Sequence, residues 1–189
     1  YVSELQGGRV RRIEAGGILT TVAERLVRPM GLAFDRDGAL LIAESGLHRI
    51  HRLGVDGQLE VFADTGERSI PRAIGLDAEG NVYFTDVGLG QIRRIDATGE
   101  IRSLLSVIIP NPMGLEVTAD GTLFVSTATG LGGAISMLPP GQRTLGSPIA
   151  GGSNRGRDGI AAVESLLVAP TGVAQKTDGT LLVAQPMQD

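Results

Sequence analysis

Hydrophobic and polar residues alternate along this chain in short runs. Turns rich in glycine and aspartate separate these runs. Within residues 29–66, Leu32–Phe34 and Leu40–Ala43 flank an acidic-glycine turn, and two further runs follow at Arg49–Leu53 and Gln58–Phe62. Alternation with a period of two is typical of β-strands. No stretch shows a sustained helical period, so the pattern predicts an all-β chain with four strands in roughly forty residues.

The same four-strand pattern recurs along the chain. Each copy begins with a proline. An apolar run comes next, and then an acidic-glycine turn and a second apolar run. A period near forty residues marks a repeat architecture, and four antiparallel strands per repeat of this length form the blade of a β-propeller. The prolines lie 42, 41 and 58 residues apart, at Pro29, Pro71, Pro112 and Pro170.

The repeats predict one all-β domain over residues 1–189, a β-propeller of four-stranded antiparallel blades with about four repeats present. Because four blades are near the lower limit for closed propellers, we expect the chain to be part of a larger ring. The predicted division is a partial blade at 1–28, blades at 29–70 and 71–111, a blade with a long linker at 112–169, and a partial blade at 170–189.

Composition and charge narrow the classes of function. A hydrophobic content of 42% with 20% charged residues is typical of a globular protein. No apolar run approaches the length that crosses a bilayer, which argues against a membrane partner. The net charge of -4 argues against nucleic acid as a partner. The absence of cysteine excludes disulfides and thiolate chemistry without fixing the compartment.

Several segments resemble the NHL repeat of bacterial proteins, a propeller family named for a strand signature of the Asn-His-Arg-Ile type. Leu47-His48-Arg49-Ile50 is similar to that signature with leucine first, and residues 16–23 and 150–170 resemble a blade end and an inter-blade linker. The resemblance implies mainly binding scaffolds and favours an extracytoplasmic location. Related propellers of the gluconolactonase type hydrolyse lactones with a divalent metal, and those of the virginiamycin B lyase type use a histidine.

The residue after each repeat proline is a candidate ligand-binding position, because the loop that enters the first strand of a blade opens on the channel face. The gluconolactonase pattern would need Asn or Asp there, and the lyase pattern a His. The chain supplies neither, so we predict binding positions and no catalytic residue. These post-proline positions are Met30, Arg72, Met113 and Thr171.

Carboxylates recur where the second strand of a blade ends, at Glu4, Glu44 and Asp86. Three carboxylates on one rim would suit a hard cation such as calcium. Alternatively, each accepts hydrogen bonds from its own turn or pairs with an arginine such as Arg52 or Arg94. Repetition from blade to blade favours a structural device. We therefore predict no metal and no cofactor, with calcium as the alternative, and keep Glu44 and Asp86 as candidate ligand-binding residues.

The sequence thus predicts a non-catalytic binding or scaffolding module for a protein or small-molecule ligand at the channel face. The alternative is a metal-dependent enzyme of the gluconolactonase or lyase type whose site is completed by missing blades. RNA binding by arginines such as Arg12, Arg52 and Arg94 is a third reading, for which the chain lacks interleaved aromatic residues. Open strand edges at Tyr1 and Gln185 would favour self-association.

Overall fold

The structure is a computed structural model that describes residues 1–129, 132–151 and 161–186, and its strands are short and antiparallel. The strands are β1 (Val2–Glu4), β2 (Arg9–Ile13), β3 (Leu19–Ala23), β4 (Pro29–Phe34), β5 (Leu40–Glu44), β6 (Arg49–Leu53), β7 (Leu59–Asp64), β8 (Pro71–Leu76), β9 (Val82–Asp86), β10 (Gln91–Ile95), β11 (Ile101–Ser103), β12 (Pro112–Val117), β13 (Leu123–Thr129), β14 (Gly132–Leu138), β15 (Pro148–Gly151), β16 (Gly172–Gln175) and β17 (Leu181–Ala184).

These strands form five separate sheets, which we call blades 1 to 5. Blades 2, 3 and 4 are four-stranded and consist of β4–β7, β8–β11 and β12–β15. Blade 1 contains β1–β3, and blade 5 contains β16 and β17. Within each blade the strands pair in chain order, because short turns join antiparallel neighbours. The architecture confirms the predicted all-β propeller with four-stranded antiparallel blades.

The first strands of blades 2 to 5 line the inner side of the molecule. β4 contacts β8, β8 contacts β12, and β12 contacts β16, so these strands lie side by side along the channel. In the part of the chain that the structure describes, the strands of blade 1 pair only with one another, and so do those of blade 5. The described residues therefore form a partial propeller, in which three complete blades and two incomplete ones together amount to about four blades.

The hydrophobic cores lie between neighbouring blades, because successive side chains of a strand point to opposite faces of its sheet. In β5, Ile42 packs toward blade 1, and Leu41 packs toward blade 3. Val125 of β13 belongs to the core between blades 3 and 4, and Ile135 of β14 belongs to the core between blades 4 and 5. The blade faces are thus occupied by packing, and the strand ends remain available for a site.

The inner strands approach one another closely at Gly31. A Cβ placed on Gly31 would lie 2.4 Å from the carbonyl oxygen of Arg72, which is too short for any side chain. Glycine here allows β4 and β8 to pack backbone against backbone. This close approach brings the beginning of one inner strand next to the beginning of the following one.

The connection between blades 4 and 5 is described only in part. Residues 152–160, which carry much of the resemblance to an inter-blade linker, lie outside the described residues. The described remainder contains a short 3-10 turn at Ala162–Glu164, and Leu167 packs in the core between blades 4 and 5. Nowhere in the described ranges does a helix have the length and apolarity of a membrane span.

Candidate functional site

The residue after the repeat proline lies in a β-bulge at the start of three inner strands. In blade 2 the register between β4 and β5 shifts between Pro29 and Leu32. The same shift occurs at the corresponding residues of blades 3 and 4. A bulge adds one residue to a strand and turns its side chains away from regular alternation. In these three blades, the side chain after the proline therefore does not follow the regular alternation between the two faces of the sheet.

Hydroxyl groups of neighbouring strands bind the backbone of these bulges. Ser3 Oγ of blade 1 donates a hydrogen bond to the carbonyl oxygen of Met30 in blade 2, with an O···O distance of 2.6 Å. Thr85 Oγ1 accepts a hydrogen bond from the Ala73 N–H at 2.9 Å and donates to the carbonyl oxygen of Met113 at 3.4 Å. Because their backbone polar groups are satisfied in this way, the bulges hold a defined conformation.

All four post-proline side chains meet in one cavity of about 330 Å³ at the mouth of the channel, which we call the channel pocket. Protein cavities that bind small ligands are commonly about 300–1,000 Å³ and mainly apolar. The wall of the channel pocket is largely apolar, with one charged residue. Its principal lining residues are Ser3, Leu5, Met30, Arg72, Met113 and Thr171.

Arg72 supplies the positive charge of the channel pocket. Its side chain is half-buried, and burial lowers the pKa of its guanidinium, with a further lowering from nearby Arg28. In the described ranges of the chain, no carboxylate lies within ion-pairing distance of Arg72 or Arg28. The pocket therefore contains positive charge that the described residues do not neutralise.

Glu44 does not line the channel pocket but is buried at the end of β5. Its Oε1 accepts a hydrogen bond from the Val27 N–H at 2.7 Å, and its Oε2 lies 2.6 Å from His51 Nε2. Val27 belongs to the connection that leads from blade 1 into blade 2. The carboxylate therefore attaches this connection to its own blade.

Asp86 has the same role in blade 3 and is fully buried. It accepts hydrogen bonds from the Ile70 N–H at 2.9 Å, the Leu89 N–H at 3.1 Å and the Ser69 hydroxyl at 2.7 Å. Arg93 Nη1 donates to it at 3.2 Å. With these partners, the structure places Asp86 in the support of the channel pocket rather than in its wall.

The basic partners of Glu44 and Asp86 are not Arg52 and Arg94, which the sequence suggested as examples. The predicted partner Arg52 pairs instead with Asp35, with Nε and Oδ2 2.8 Å apart. In the antiparallel register Ile42 lies opposite His51, so Glu44 and His51 share one face while Arg52 points to the other. The same alternation gives Asp86 the partner Arg93 rather than the predicted Arg94.

The described residues do not fit the divalent metal that the resemblance to gluconolactonases implied as the alternative. The post-proline positions offer thioether, guanidinium and hydroxyl groups, whereas calcium needs several oxygen ligands. Glu44 and Asp86 already accept hydrogen bonds from backbone amides. Within the described ranges, no group of three or more His, Asp or Glu side chains lies close enough to hold a metal. We therefore derive no chemical step through a metal.

Sequence reasoning missed three residues of this region. Ser3 and Leu5 line the channel pocket, and the charge of Arg28 lowers the pKa of Arg72. Ser3 could have been found, because it aligns with Thr85 among the repeats and both side chains bind a bulge. Arg28 has a left-handed backbone with φ of 56°, a conformation shared by Asn111 and Ala169 before two other repeat prolines, and the residue type of Arg28 does not indicate it.

A larger cleft of about 460 Å³ lies between blades 3 and 4, at the strand ends opposite to the channel pocket. Polar turn residues form much of its wall, including Asn81, Gly121 and Gln142. Acidic and basic residues occur there in equal number, so the cleft has no net charge to offer a ligand. They are Asp77, Glu79, Asp120, Arg94, Arg102 and Arg143.

Comparison with known proteins places this architecture among propellers. The structure is similar to the selenomethionine-substituted virginiamycin B lyase from Staphylococcus aureus, with a TM-score of 0.71 and 19% identity over 97% of this chain and 58% of that one. It is also similar to a gluconolactonase from Xanthomonas campestris, with a TM-score of 0.76 and 20% identity over 97% of this chain and 64% of that one. A nidogen/laminin complex matches with a TM-score of 0.75 and 16% identity, over 95% of this chain and 67% of that chain.

At these identities the structural matches show the fold alone, and this chain spans 58% of the lyase and 64% of the gluconolactonase. No curated protein sequence matches the chain. The sequence model of the virginiamycin B lyase family matches residues 1–135, which is more than half of the 189 residues. This chain therefore belongs to the virginiamycin B lyase family.

Proposed function

We propose that the channel pocket binds a small organic ligand, and that this chain forms the binding part of a propeller enzyme of the lyase or gluconolactonase type. The observation that carries the proposal is the convergence of Met30, Arg72, Met113 and Thr171, from four successive blades, on one cavity. Membership of a lyase family supports an enzyme over a pure scaffold. Since the chain spans less than two thirds of the lyase and the gluconolactonase, the proposal assigns the catalytic groups to further blades.

The lining residues suit an organic ligand. Met30 and Met113 are flexible thioethers that adapt to an apolar surface. Among the described residues, Thr171 Oγ1 has one long contact of 3.5 Å, to the carbonyl oxygen of Ala184, which leaves its hydroxyl available to a ligand. The buried carboxylates Glu44 and Asp86 support the connections beside the pocket, and any direct contact of theirs with a ligand stays a prediction.

The proposal includes blades of the NHL type, divided at residues 29, 71, 112 and 170. The position that carries the histidine of the repeat signature supports this assignment. His48 has a left-handed backbone with φ of 58°, and its Nδ1 lies within hydrogen-bond distance of the Ser69 carbonyl oxygen. The contact joins the turn before β6 to the connection into blade 3, which is a role in the repeat itself.

Binding of quinupristin and of gluconolactone to the purified chain, measured by titration calorimetry, tests the proposal. Quinupristin is the ligand named for a lyase structure to which this chain is also similar. Met113→Trp would fill the pocket and should weaken binding about tenfold or more, because the cavity is small. Phe34→Trp is the matched control, since Phe34 is exposed at the opposite end of an inner strand.

Two outcomes would contradict the proposal. If neither compound binds, or if Met113→Trp binds as well as the unchanged chain, the channel pocket is not the site for a small molecule. Turnover of gluconolactone by this chain alone, lost in Glu44→Gln, would contradict the supporting role of the buried carboxylates. We expect the chain alone to bind without turnover.

A further inference from the structure

We propose that Arg72 makes the channel pocket selective for an organic anion, namely a carboxylate or phosphate group attached to an apolar body. This inference rests on the proposed function, because it requires a small molecule in the same pocket. It adds the chemical class of that molecule, which the family match does not supply.

The first support is that Arg72 lines a mainly apolar cavity without a carboxylate partner in the described part of the chain, whereas three other partly buried arginines, Arg11, Arg52 and Arg93, have one. Arg11 reaches Glu4 at 3.5 Å, Arg52 reaches Asp35 at 2.8 Å, and Arg93 reaches Asp86 at 3.2 Å. Arg72 has no such carboxylate among the described residues. Removing a charged group from water is unfavourable unless an opposite charge compensates it. A ligand anion would provide that compensation.

The second support is the distribution of charge around the pocket. Arg72 is the charged residue of the pocket lining, and the charge of Arg28 acts on it and lowers the pKa of its guanidinium further. Glu4, Glu44 and Asp86 do not line the pocket, and each already contacts a basic side chain. A cleft with one sign of charge and apolar walls concentrates ions of the opposite sign. The local field therefore favours anions although the whole chain is acidic.

The third support is the chemistry of the side chains. The planar guanidinium of Arg72 can form two parallel hydrogen bonds with a carboxylate or a phosphate. Met30 and Met113 beside it provide an apolar wall. A ligand that consisted of a charged group alone would leave this wall exposed to water, which is unfavourable. The combination fits an amphiphilic anion better than an inorganic ion.

Hexanoate and hexanamide form a matched pair of probes, because they have the same shape and differ in charge. Methionine methyl groups labelled with carbon-13 report binding at the site, since Met30 and Met113 line the channel pocket. Met137 packs in the core between blades 4 and 5 and serves as an internal control. We expect hexanoate to shift the Met30 and Met113 signals and to bind about tenfold tighter than hexanamide. Hexyl phosphate, titrated in parallel, separates a preference for phosphate from one for carboxylate.

Arg72→Gln should abolish the preference for hexanoate over hexanamide, chiefly by weakening the binding of hexanoate. Arg36→Gln is the charge-matched control, because Arg36 is exposed in a turn at the opposite strand ends. Equal binding of the two probes to the unchanged chain, or a preference that survives Arg72→Gln, would overturn the anion site and leave the proposed function intact. If neither probe shifts the Met30 or Met113 signals, the small-molecule pocket fails as well.

Discussion

Arg52 and Arg72 carry the same charge in opposite environments. Arg52 lies among Asp35, Asp37 and Glu60, and its pKa is raised chiefly by the hydrogen bond to Asp35. Arg72 lies in a mainly apolar pocket, and its pKa is lowered by burial and by Arg28. We expect the first arginine to stabilise its blade and the second to be retained at a cost to stability. Such a cost is common at functional sites.

Arg72→Leu should therefore raise the free energy of unfolding by about 1 kcal/mol, because it removes a charge without a partner. Arg52→Leu should lower the free energy by about 1 kcal/mol, because it deprives Asp35 of a charged hydrogen-bond donor at a partly exposed site. Urea unfolding at neutral pH measures both. Similar losses in the two variants would mean that Arg72 stabilises the fold, against our assignment.

At the scale of single residues, aligning the repeats was enough to find the four side chains that meet in the channel pocket. The same alignment could not choose between His51 and Arg52 as the partner of Glu44. That choice depends on strand register, which decides the face on which each side chain lies. Nor could it find Arg28, whose position follows from a backbone conformation.

Among the elements, the turn between β8 and β9 is a compact network around Asp77. Its carboxylate accepts hydrogen bonds from the Glu79 N–H, from the backbone and side-chain amides of Asn81, and from the Tyr83 hydroxyl at 2.8 Å. Burial alone would raise the pKa of Asp77, but the hydrogen bonds outweigh it and the pKa is lowered. Burial, with Asp77 as a second cause, raises the pKa of Tyr83 to about 12.

Asp77→Ala should destabilise the protein by about 2 kcal/mol, because it leaves the buried Tyr83 hydroxyl and two backbone amides without an acceptor. Asp178→Ala in the corresponding turn of blade 5 is the matched control. Asp178 is exposed and accepts one backbone hydrogen bond, from Thr180, so its loss should have a smaller effect. Chemical denaturation of both variants at neutral pH gives the comparison.

The same network predicts how stability depends on pH. Since the pKa of Asp77 is lowered from 3.8 in the folded state, its contribution is present above pH 3.8 and is lost as the pH falls through the folded pKa. Stability should therefore decline from about pH 4 downward, and Asp77→Ala should decline less steeply. Parallel acid titrations by circular dichroism test this. Identical slopes would contradict the role of Asp77.

The strands themselves were largely predictable, because alternation and turn residues specify them locally. The exception is the first strand of each complete blade, which begins at the proline rather than a few residues later; β4 starts at Pro29, whereas alternation begins near Leu32. The bulge explains the difference. It interrupts the alternation of side chains while the backbone continues to pair, so a pattern of side chains cannot reveal it.

For the whole molecule, blades 1 and 5 each have a free strand edge among the described residues. Unpaired edges with apolar side chains template contacts between chains. We expect the chain to self-associate, with a solution mass that light scattering after size exclusion shows to increase with concentration. Val2→Lys combined with Leu182→Lys should shift the mass toward the monomer, because both residues are exposed on edge or terminal strands.

Val55→Lys is the control for this measurement, since Val55 is exposed in the turn between β6 and β7 of blade 2. A monomer at all concentrations would contradict the expectation and show that the edges are protected in solution. If Val55→Lys shifted the mass toward the monomer as much as the double variant does, general charge repulsion rather than loss of strand pairing would be the cause.

The repeated bulges also bear on how such a protein changes over evolutionary time. Each of three inner strands presents one side chain at the channel mouth from a bulge in its backbone, while the packing that holds the blades together lies elsewhere. The mouth is therefore a set of separately replaceable positions on a constant frame. New ligand preferences can arise by single substitutions there, and mutational libraries confined to those positions should yield folded proteins at high frequency.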